Sequence, residues 1–409
     1  MEKLFAKYAQ ILLENCLKIE QNQPLFISAN VEALEFVNIV AKTAYKLGIK
    51  NIYFDLTDQN LKHEALKNLT IPELKKHQYW NKEKWDKYAK KNAAFLMLVS
   101  ETPGLMKDID AEKVSKITVY SYKTRKTFNE YRNKSKLAWC IAAVPTMEWA
   151  EQVFPKSKQP LKDLWDAVFD VCCLKEPSPQ KYWEKKITKF RKIAQKLNEY
   201  NFKKLTYKNS LGTNLSVELP KNHLWACGSE KLTNQKEIIA NFPTEEIFTS
   251  PNCNSACGIV YSAKPLCYQD VIIDDFWLEF KNGKVVKAFA KKGQETLLEL
   301  LKSCKNSNML GEIALVPYNS PISNKNIIFY ETLFDENASC HLALGSSFPE
   351  CLKNGPKMSS EELQKNGLNN CENHVDFMIG TNDLSIIGLT QDDQEIKIFE
   401  NGNFTKEFK

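Results

Sequence analysis

The chain has 409 residues, of which 43% are apolar, 26% charged and 11% aromatic, a balance that excludes a disordered, collagenous or disulfide-stapled polypeptide and allows two or three domains with real cores. Its 56 basic and 50 acidic residues leave a net charge of only +6. Arg125, Arg132 and Arg191 are the only arginines, so an Arg-rich face for nucleic acid is missing.

In chain order, Gln23 to Ala29 reads as a short apolar strand, followed by a helical pattern from Val31 to Leu47 that stops at Gly48. Asn51 to Leu56 is the next strand and Gln59 to Asn68 a polar helix. Ala94 to Val99, Ile117 to Tyr122 and Leu137 to Val144 read as third, fourth and fifth strands. Short buried strands alternating with helices predict a largely parallel sheet covered by helices. No G-x-G-x-x-G or G-K-[ST] follows a strand, so a nucleotide site has no support.

Helices then dominate, over Thr146 to Val153, Leu161 to Cys173 and Pro179 to Tyr200. In the last, Trp183, Ile187, Phe190, Ile193 and Leu197 trace one apolar face. Beyond residue 201 the texture changes. Lys203 to Tyr207 and Asn214 to Glu218 alternate around Gly212 as a hairpin, and strand-like runs recur at Val271–Phe280, Lys284–Ala290, Glu312–Val316 and Val375–Ile379. The expected division is an α/β domain over residues 1–200 and an α+β domain over 201–409.

The twelve cysteines include no C-x-x-C pair, which fits reduced, buried thiols in a cytoplasmic protein better than a zinc ribbon. No segment has the ~20 apolar residues of a membrane helix, Ala93 to Val99 being the densest run. Charges at Glu2, Lys3 and Lys7 argue against a signal peptide.

Chemistry concentrates in the second half. There are five histidines; His63 and His77 lie in polar contexts and read as solvated surface, and His223 follows a Pro220–Asn222 turn. His374 and Asp376 flank Val375 in an apolar strand and project to one face, which needs a reason for burying charge, such as a metal. Glu312 is a lone acid in another apolar strand. His341 lies in an apolar stretch from Asp335 to Gly345 that reads as a short buried helix with acids at its start. Glu245 and Glu246 precede Ile247 and Phe248, with Thr244 as a helix cap the plain alternative. Cys340 and His341 adjoin, but neighbours on a helix diverge by ~100°, which disfavours a Cys–His nucleophile.

Taken together, PTEEIFT (243–249), GEIALVPYNSPIS (311–323), FYETLFDENASCHLALG (329–345) and NHVDFMIGTNDL (373–384) resemble the M29, or thermophilic, family of metallo-aminopeptidases. SANVEALEFVNIVAKTAYKLG (28–48), WCIAAVPTMEWAEQVFP (139–155) and LWDAVFDV (164–171) resemble the N-terminal half of the same family. The resemblance implies a two-metal site with ligands Glu246, Glu312, His341, His374 and Asp376, the successive separations from Glu246 to His374 being 66, 29 and 33 residues. Glu245 is the second choice in the acidic pair. Asp376 or Glu312 is the implied bridging carboxylate, and Glu245 or Glu336 the acid that shuttles a proton.

The resemblance further implies zinc or cobalt as the ions, a homodimer with an enclosed chamber, and short peptides with a free N-terminus as substrates. Of the site residues, Glu246, Glu312 and the position of Phe348 carry catalysis. The family has a tyrosine seven residues after the first histidine, and this chain has Phe348 there, with Tyr318 and Tyr330 as the replacements to consider. Two alternatives follow: a catalytically impaired, peptide-binding relative, and a two-metal phosphoesterase, which lacks an arginine or Gly-rich phosphate cradle near the motifs.

Overall fold

The computed structural model describes every residue except Gln78 and Asp270, and only the backbone at positions 77, 79–82 and 111; the side chain of His77 therefore lies outside the described residues. Two compact units emerge: Met1–Lys186 with Ser229–Thr244, and Ile187–Gly228 with Glu245–Lys409. No helix among the described residues is long and apolar enough to cross a membrane.

The first unit is built on a five-stranded sheet that is parallel throughout, as the alternation of strand and helix predicts. From one edge it runs Ile52–Thr57, Leu25–Asn30, Ala94–Val99, Trp139–Ala143 and Asn241–Phe242. Leu25, Phe26, Ile27, Ala94, Phe95 and Leu96 are fully buried, because helices cover such a sheet on both faces and leave no polar side for alternation. Packing on one side is aromatic, with Phe26, Trp85, Phe95 and Phe128 at ring separations of 4.7–5.5 Å. The last strand comes from Ser229–Thr244, a return of the chain that its two-residue length made illegible.

Ile117 to Tyr122 is not a strand. It lies inside the helix Ala111–Thr124, whose first turn is capped by Asp110 Oδ1 accepting from the backbone N–H groups of Glu112 and Lys113. The β-branched and aromatic run ITVYSY suggested a strand, but a capped start six residues earlier decided the local structure.

The second unit holds two sheets. The larger has nine strands and includes the expected hairpin, Lys204–Lys208 with Asn214–Glu218, and the long antiparallel pair Val271–Lys281 and Lys284–Lys292. Gly212 in the hairpin turn has φ +108°, a value that glycine adopts without a Cβ penalty. The smaller sheet is antiparallel, in the order His374–Met378, His341–Gly345, Leu310–Leu315, Ile247–Thr249, Ala226–Cys227.

Candidate metal centre

The smaller sheet sorts its side chains by alternation. In register, Glu312 pairs with Ala343 and Ala343 with Asp376; one row away, Ala314 pairs with His341 and His341 with Met378; on the other side, Gly345 pairs with His374. Directly paired residues share a face, so Glu312, His341, His374 and Asp376 all project from the same one. The opposite face carries Ile313, Leu315, Leu342, Leu344 and Phe377, each 0–1% exposed and part of the unit's main core. Burying each such side chain contributes about 1.5–3 kcal/mol, which offsets the cost of the charged face. Ala343, between Glu312 and Asp376, and Ala314 and Gly345, beside His341 and His374, keep side chains small next to the four, while Met378 and Phe248 share the face.

His341 thus begins a strand, not the expected short buried helix. Asp335 and Glu336 lie in the preceding turns, Thr332–Asp335 and Glu336–Ala338. Nor does Thr244 cap a helix: a strand follows, and the buried Thr244 hydroxyl has no hydrogen-bond partner. Cys340 is buried with its thiol against the Val316 carbonyl at 3.3 Å, so it is a core residue, as expected, though on an extended backbone.

The five carboxylates and imidazoles form two groups that share Glu312: Glu246, Glu312 and His341, and Glu312, His374 and Asp376, with ligand atoms in each group within 4.8 Å of one another. His374 Nε2 lies 2.8 Å from Glu312 Oε2 and 3.3 Å from Asp376 Oδ1. His341 Nε2 lies 3.3 Å from Glu246 Oε2 and 3.9 Å from Asp376 Oδ1. Glu246, Glu312, His341 and Asp376 are all at most 8% exposed.

Two backbone carbonyls orient the imidazoles. His341 Nδ1 is 3.1 Å from the Ser339 carbonyl and His374 Nδ1 2.8 Å from that of Ser346. An Nδ1–H donating to each carbonyl leaves Nε2 as the ring atom that faces the cluster, free to ligate once its proton is lost, the arrangement of metal-binding histidines. The Ser346 carbonyl can reach His374 because residue 311 is glycine: a Cβ there would collide with the Ser346 and Gly345 carbonyl oxygens. A backbone acceptor has no sequence signature, so these contacts were not legible beforehand.

Within the cluster the imidazoles and Asp376 favour one another's charged forms, and the excess of acid falls on Glu312. Burial and the Asp376 charge push Glu312 up to about 7, against the lowering pull of its His374 hydrogen bond. Burial alone would depress His341, yet the Glu246 hydrogen bond and the Asp376 charge raise it to about 10. His374 is raised for the same reason by Asp376 and Glu312. Asp376, despite burial, is held down to about 2 by His374 and His341. Asp376 Oδ1 is buried without a hydrogen-bond partner. Three buried carboxylates against two inward Nε2 atoms, with Asp376 Oδ1 in ion-pair contact but without a hydrogen bond, fit divalent ions with mixed N/O preference.

Around this core, Asn337, fully buried, accepts the Glu245 backbone N–H at 2.7 Å and donates to the Leu333 carbonyl and to Glu336 Oε1. Burial, then the charges of Asp376 and Glu246, raises Glu336 well above the carboxylate range, which puts it in electrostatic reach of the cluster. Phe348 packs its ring 4.8 Å from the His374 ring and edge-on to Phe248 at 5.5 Å. Among the described residues, neither Tyr318 nor Tyr330 hydrogen-bonds to any of the five. His223 is buried, with Nδ1 on the Pro220 carbonyl at 2.9 Å. His63 is not simply solvated: its Nε2 pairs with Asp108 at 2.6 Å, 45 positions away in sequence.

Comparison with known proteins extends over almost the whole chain. The family described as thermophilic metalloprotease (M29) matches residues 1–404. Aminopeptidase AmpS of Bacillus subtilis is 36% identical over 399 residues, covering 97% of each chain. Aminopeptidase 2 of Geobacillus stearothermophilus is 36% identical over 408 residues, covering 99% of this chain and 98% of its own. The solved structure of wild-type AmpT from Thermus thermophilus superposes with a TM-score of 0.90 at 29% identity, covering 98% of this chain and 99% of that one.

Proposed function

The chain belongs to the thermophilic metalloprotease (M29) family, and we infer from that membership and from the paired clusters around Glu312 that it is a metal-dependent aminopeptidase, removing the N-terminal residue of peptides. The observation that carries this reading is the sharing of Glu312 between two buried carboxylate–imidazole groups. In this reading Glu246, Glu312 and His341 would hold one ion, and Glu312, His374 and Asp376 the other. Such a pair supplies Lewis acidity and a water that is nucleophilic near neutral pH.

The chain's own residues supply the rest. Ser339 and Ser346 hold the imidazoles in the ligating tautomer. Glu336, raised by burial and by neighbouring charge, suits the holding of a proton at Oε2, since Oε1 already accepts from Asn337; this favours it over Glu245 for delivery to the leaving amine. The N/O donor set supports zinc or cobalt, and the family likeness supports short peptides with a free N-terminus, a homodimer and a cytoplasmic setting.

A second reading, a peptide-binding relative with impaired turnover, draws on the Phe348 ring beside His374, where the family has a phenol. One experiment addresses both. Free leucine is measured from a Leu-containing dipeptide and from its N-acetylated form, after chelator dialysis and after return of zinc or cobalt. The aminopeptidase reading expects metal-dependent cleavage of the free-amine peptide alone. No cleavage with two ions demonstrably bound would favour the impaired relative.

A further inference from the structure

In the first unit, the chain leaves the strand Leu25–Asn30 to build the edge strand Ile52–Thr57, then returns to build Ala94–Val99 on the other side. In an open parallel sheet, such a reversal leaves a crevice outside the carboxyl ends of the strands, where ligands bind. A cavity of about 270 Å³ is lined by segments that follow the carboxyl ends of Leu25–Asn30 and Trp139–Ala143, the two neighbours of Ala94–Val99, and, among the described residues, not by the chain after Ala94–Val99 itself. Its wall is made by Glu32, Ala33 and Phe36, which follow Leu25–Asn30, and by the segment from Val144 to Glu148, which follows Trp139–Ala143.

Two polar side-chain atoms of its lining residues lack hydrogen-bond partners. Thr146 is 4% exposed and its Oγ1 is buried without a hydrogen bond. Glu32 Oε2 is likewise buried and unpartnered. A carboxylate oxygen can only accept, so it asks for a donor. Glu35 and Glu148 add two exposed carboxylates, and among the described residues no lysine, arginine or histidine lines the space. The remaining wall is apolar, with Phe36 and Trp165 at 2% and 6% exposure. An unpartnered carboxylate oxygen, a hydroxyl able to accept beside it, negative charge without countercharge in the lining and an aromatic wall describe one ligand chemistry.

We propose that this cavity binds a primary ammonium group carried on an apolar side chain, the ammonium donating to Glu32 Oε2 and Thr146 Oγ1 and the side chain lying on Phe36 and Trp165. The N-terminal residue of a peptide and a free hydrophobic amino acid share this group. The glutamates disfavour the second, whose carboxylate they repel. That the cavity is a second site for peptide N-termini rests on the peptidase reading; the binding itself does not.

The test is methyl NMR on the metal-loaded protein carrying ¹³C-methyl methionine. Met147 lines the cavity and Met378 pairs with His341, so the two sites report separately; Met147→Leu assigns the first signal. Titration with 3-methylbutylamine is expected to shift Met147 saturably. The isosteric alcohol, 3-methylbutan-1-ol, should need at least roughly tenfold more, a loss of the charged hydrogen bonds, and L-leucine should also bind more weakly than the amine. Glu32→Gln and Thr146→Val should each abolish the Met147 response while leaving peptidase kcat unchanged; Glu148→Gln, on an exposed side chain, should weaken it severalfold. An amine that moves only Met378, or an alcohol that binds as well as the amine, overturns the proposal. L-leucine binding as tightly as the amine overturns the assignment to peptide N-termini.

Discussion

Glu312 and Asp376 sit on strands either side of Ala343 and are both in register with it. A single methyl therefore separates two buried carboxylates, and the space for a shared ion depends on it. Ala343→Val is expected to leave the fold intact at a cost of about 1–3 kcal/mol for overpacking, while lowering kcat/KM roughly 10–100-fold through weakened metal binding. Ile313→Val, on the opposite face of the same sheet, should cost about 0.5–1.5 kcal/mol with unaltered kcat/KM. Urea unfolding and metal content measured on both variants separate these effects; normal metal binding in Ala343→Val would refute the role given to that gap.

Glu312→Gln removes the carboxylate common to both groups, so it should abolish activity and reduce bound metal below one ion per chain. His374→Ala should also abolish activity with the protein still folded. In the parent, zinc at ~100 times its Kd should add about 2.7 kcal/mol of stability by mass action. That gain should fall sharply in Glu312→Gln, read as the zinc-dependent shift in Tm. A full shift in the variant would remove Glu312 from the ligand set.

Proton balance gives a third expectation. Without metal, His341 at about 10 and Glu312 at about 7 hold protons near neutral pH. An ion requires neutral imidazole and ionised carboxylate, so loading must expel those protons. Metal affinity should therefore rise with pH across the interval from about 7 to about 10. Calorimetry of zinc binding at pH 7 in two buffers of different ionisation enthalpy should return about one or more protons released per chain; a release near zero contradicts the charge state deduced for the cluster.

What the sequence disclosed, and what it withheld, divides along physical lines. The continuous apolar runs at Leu25–Asn30 and Ala94–Val99 announced a covered parallel sheet because burial on both faces leaves a compositional trace. The isolated acids and histidine Glu312, His374 and Asp376 stood out because charge inside apolar strands is costly, and His341 because it lies in an apolar stretch, expected there as a helix. Register is another matter. That Ala343 faces both Glu312 and Asp376, and that Ser346 reaches His374, follow from pairing between segments about 30 to 60 residues apart in sequence. Ile117 to Tyr122 failed for the converse reason, since its strand propensity was overruled by the cap at Asp110. The stretch from His341 to Gly345 failed because a short apolar run has no period that tells helix from buried strand.

Gly311 supplies a fourth expectation, drawn from backbone alone. Its missing Cβ lets the Ser346 carbonyl close on the strand and accept from His374 Nδ1. Gly311→Ala should push that carbonyl away, free the His374 ring and weaken metal binding by roughly 10–100-fold, the usual scale for loss of such a supporting contact. Zinc competition with a chromogenic chelator measures it. Affinity equal to the parent's would show that the imidazole is held by other means.

Phe348 decides how far the chain departs from its family. Its ring contacts the His374 ring at a centroid distance of 4.8 Å and is wedged by Phe248, so the position borders the ligand cluster and is fixed by packing. On the proposed reaction, a hydroxyl added to that ring is expected to donate to the carbonyl as charge develops on it, a gain confined to the transition state. Phe348→Tyr is therefore expected to raise kcat with little change in KM, because an interaction realised only at the transition state does not alter ground-state binding. One well-placed donor of this kind is worth up to ~100–1,000-fold. If steady-state kinetics on a Leu-containing dipeptide give an unchanged or lower kcat, the site does not lack the phenol, and its absence is no mark of impaired turnover.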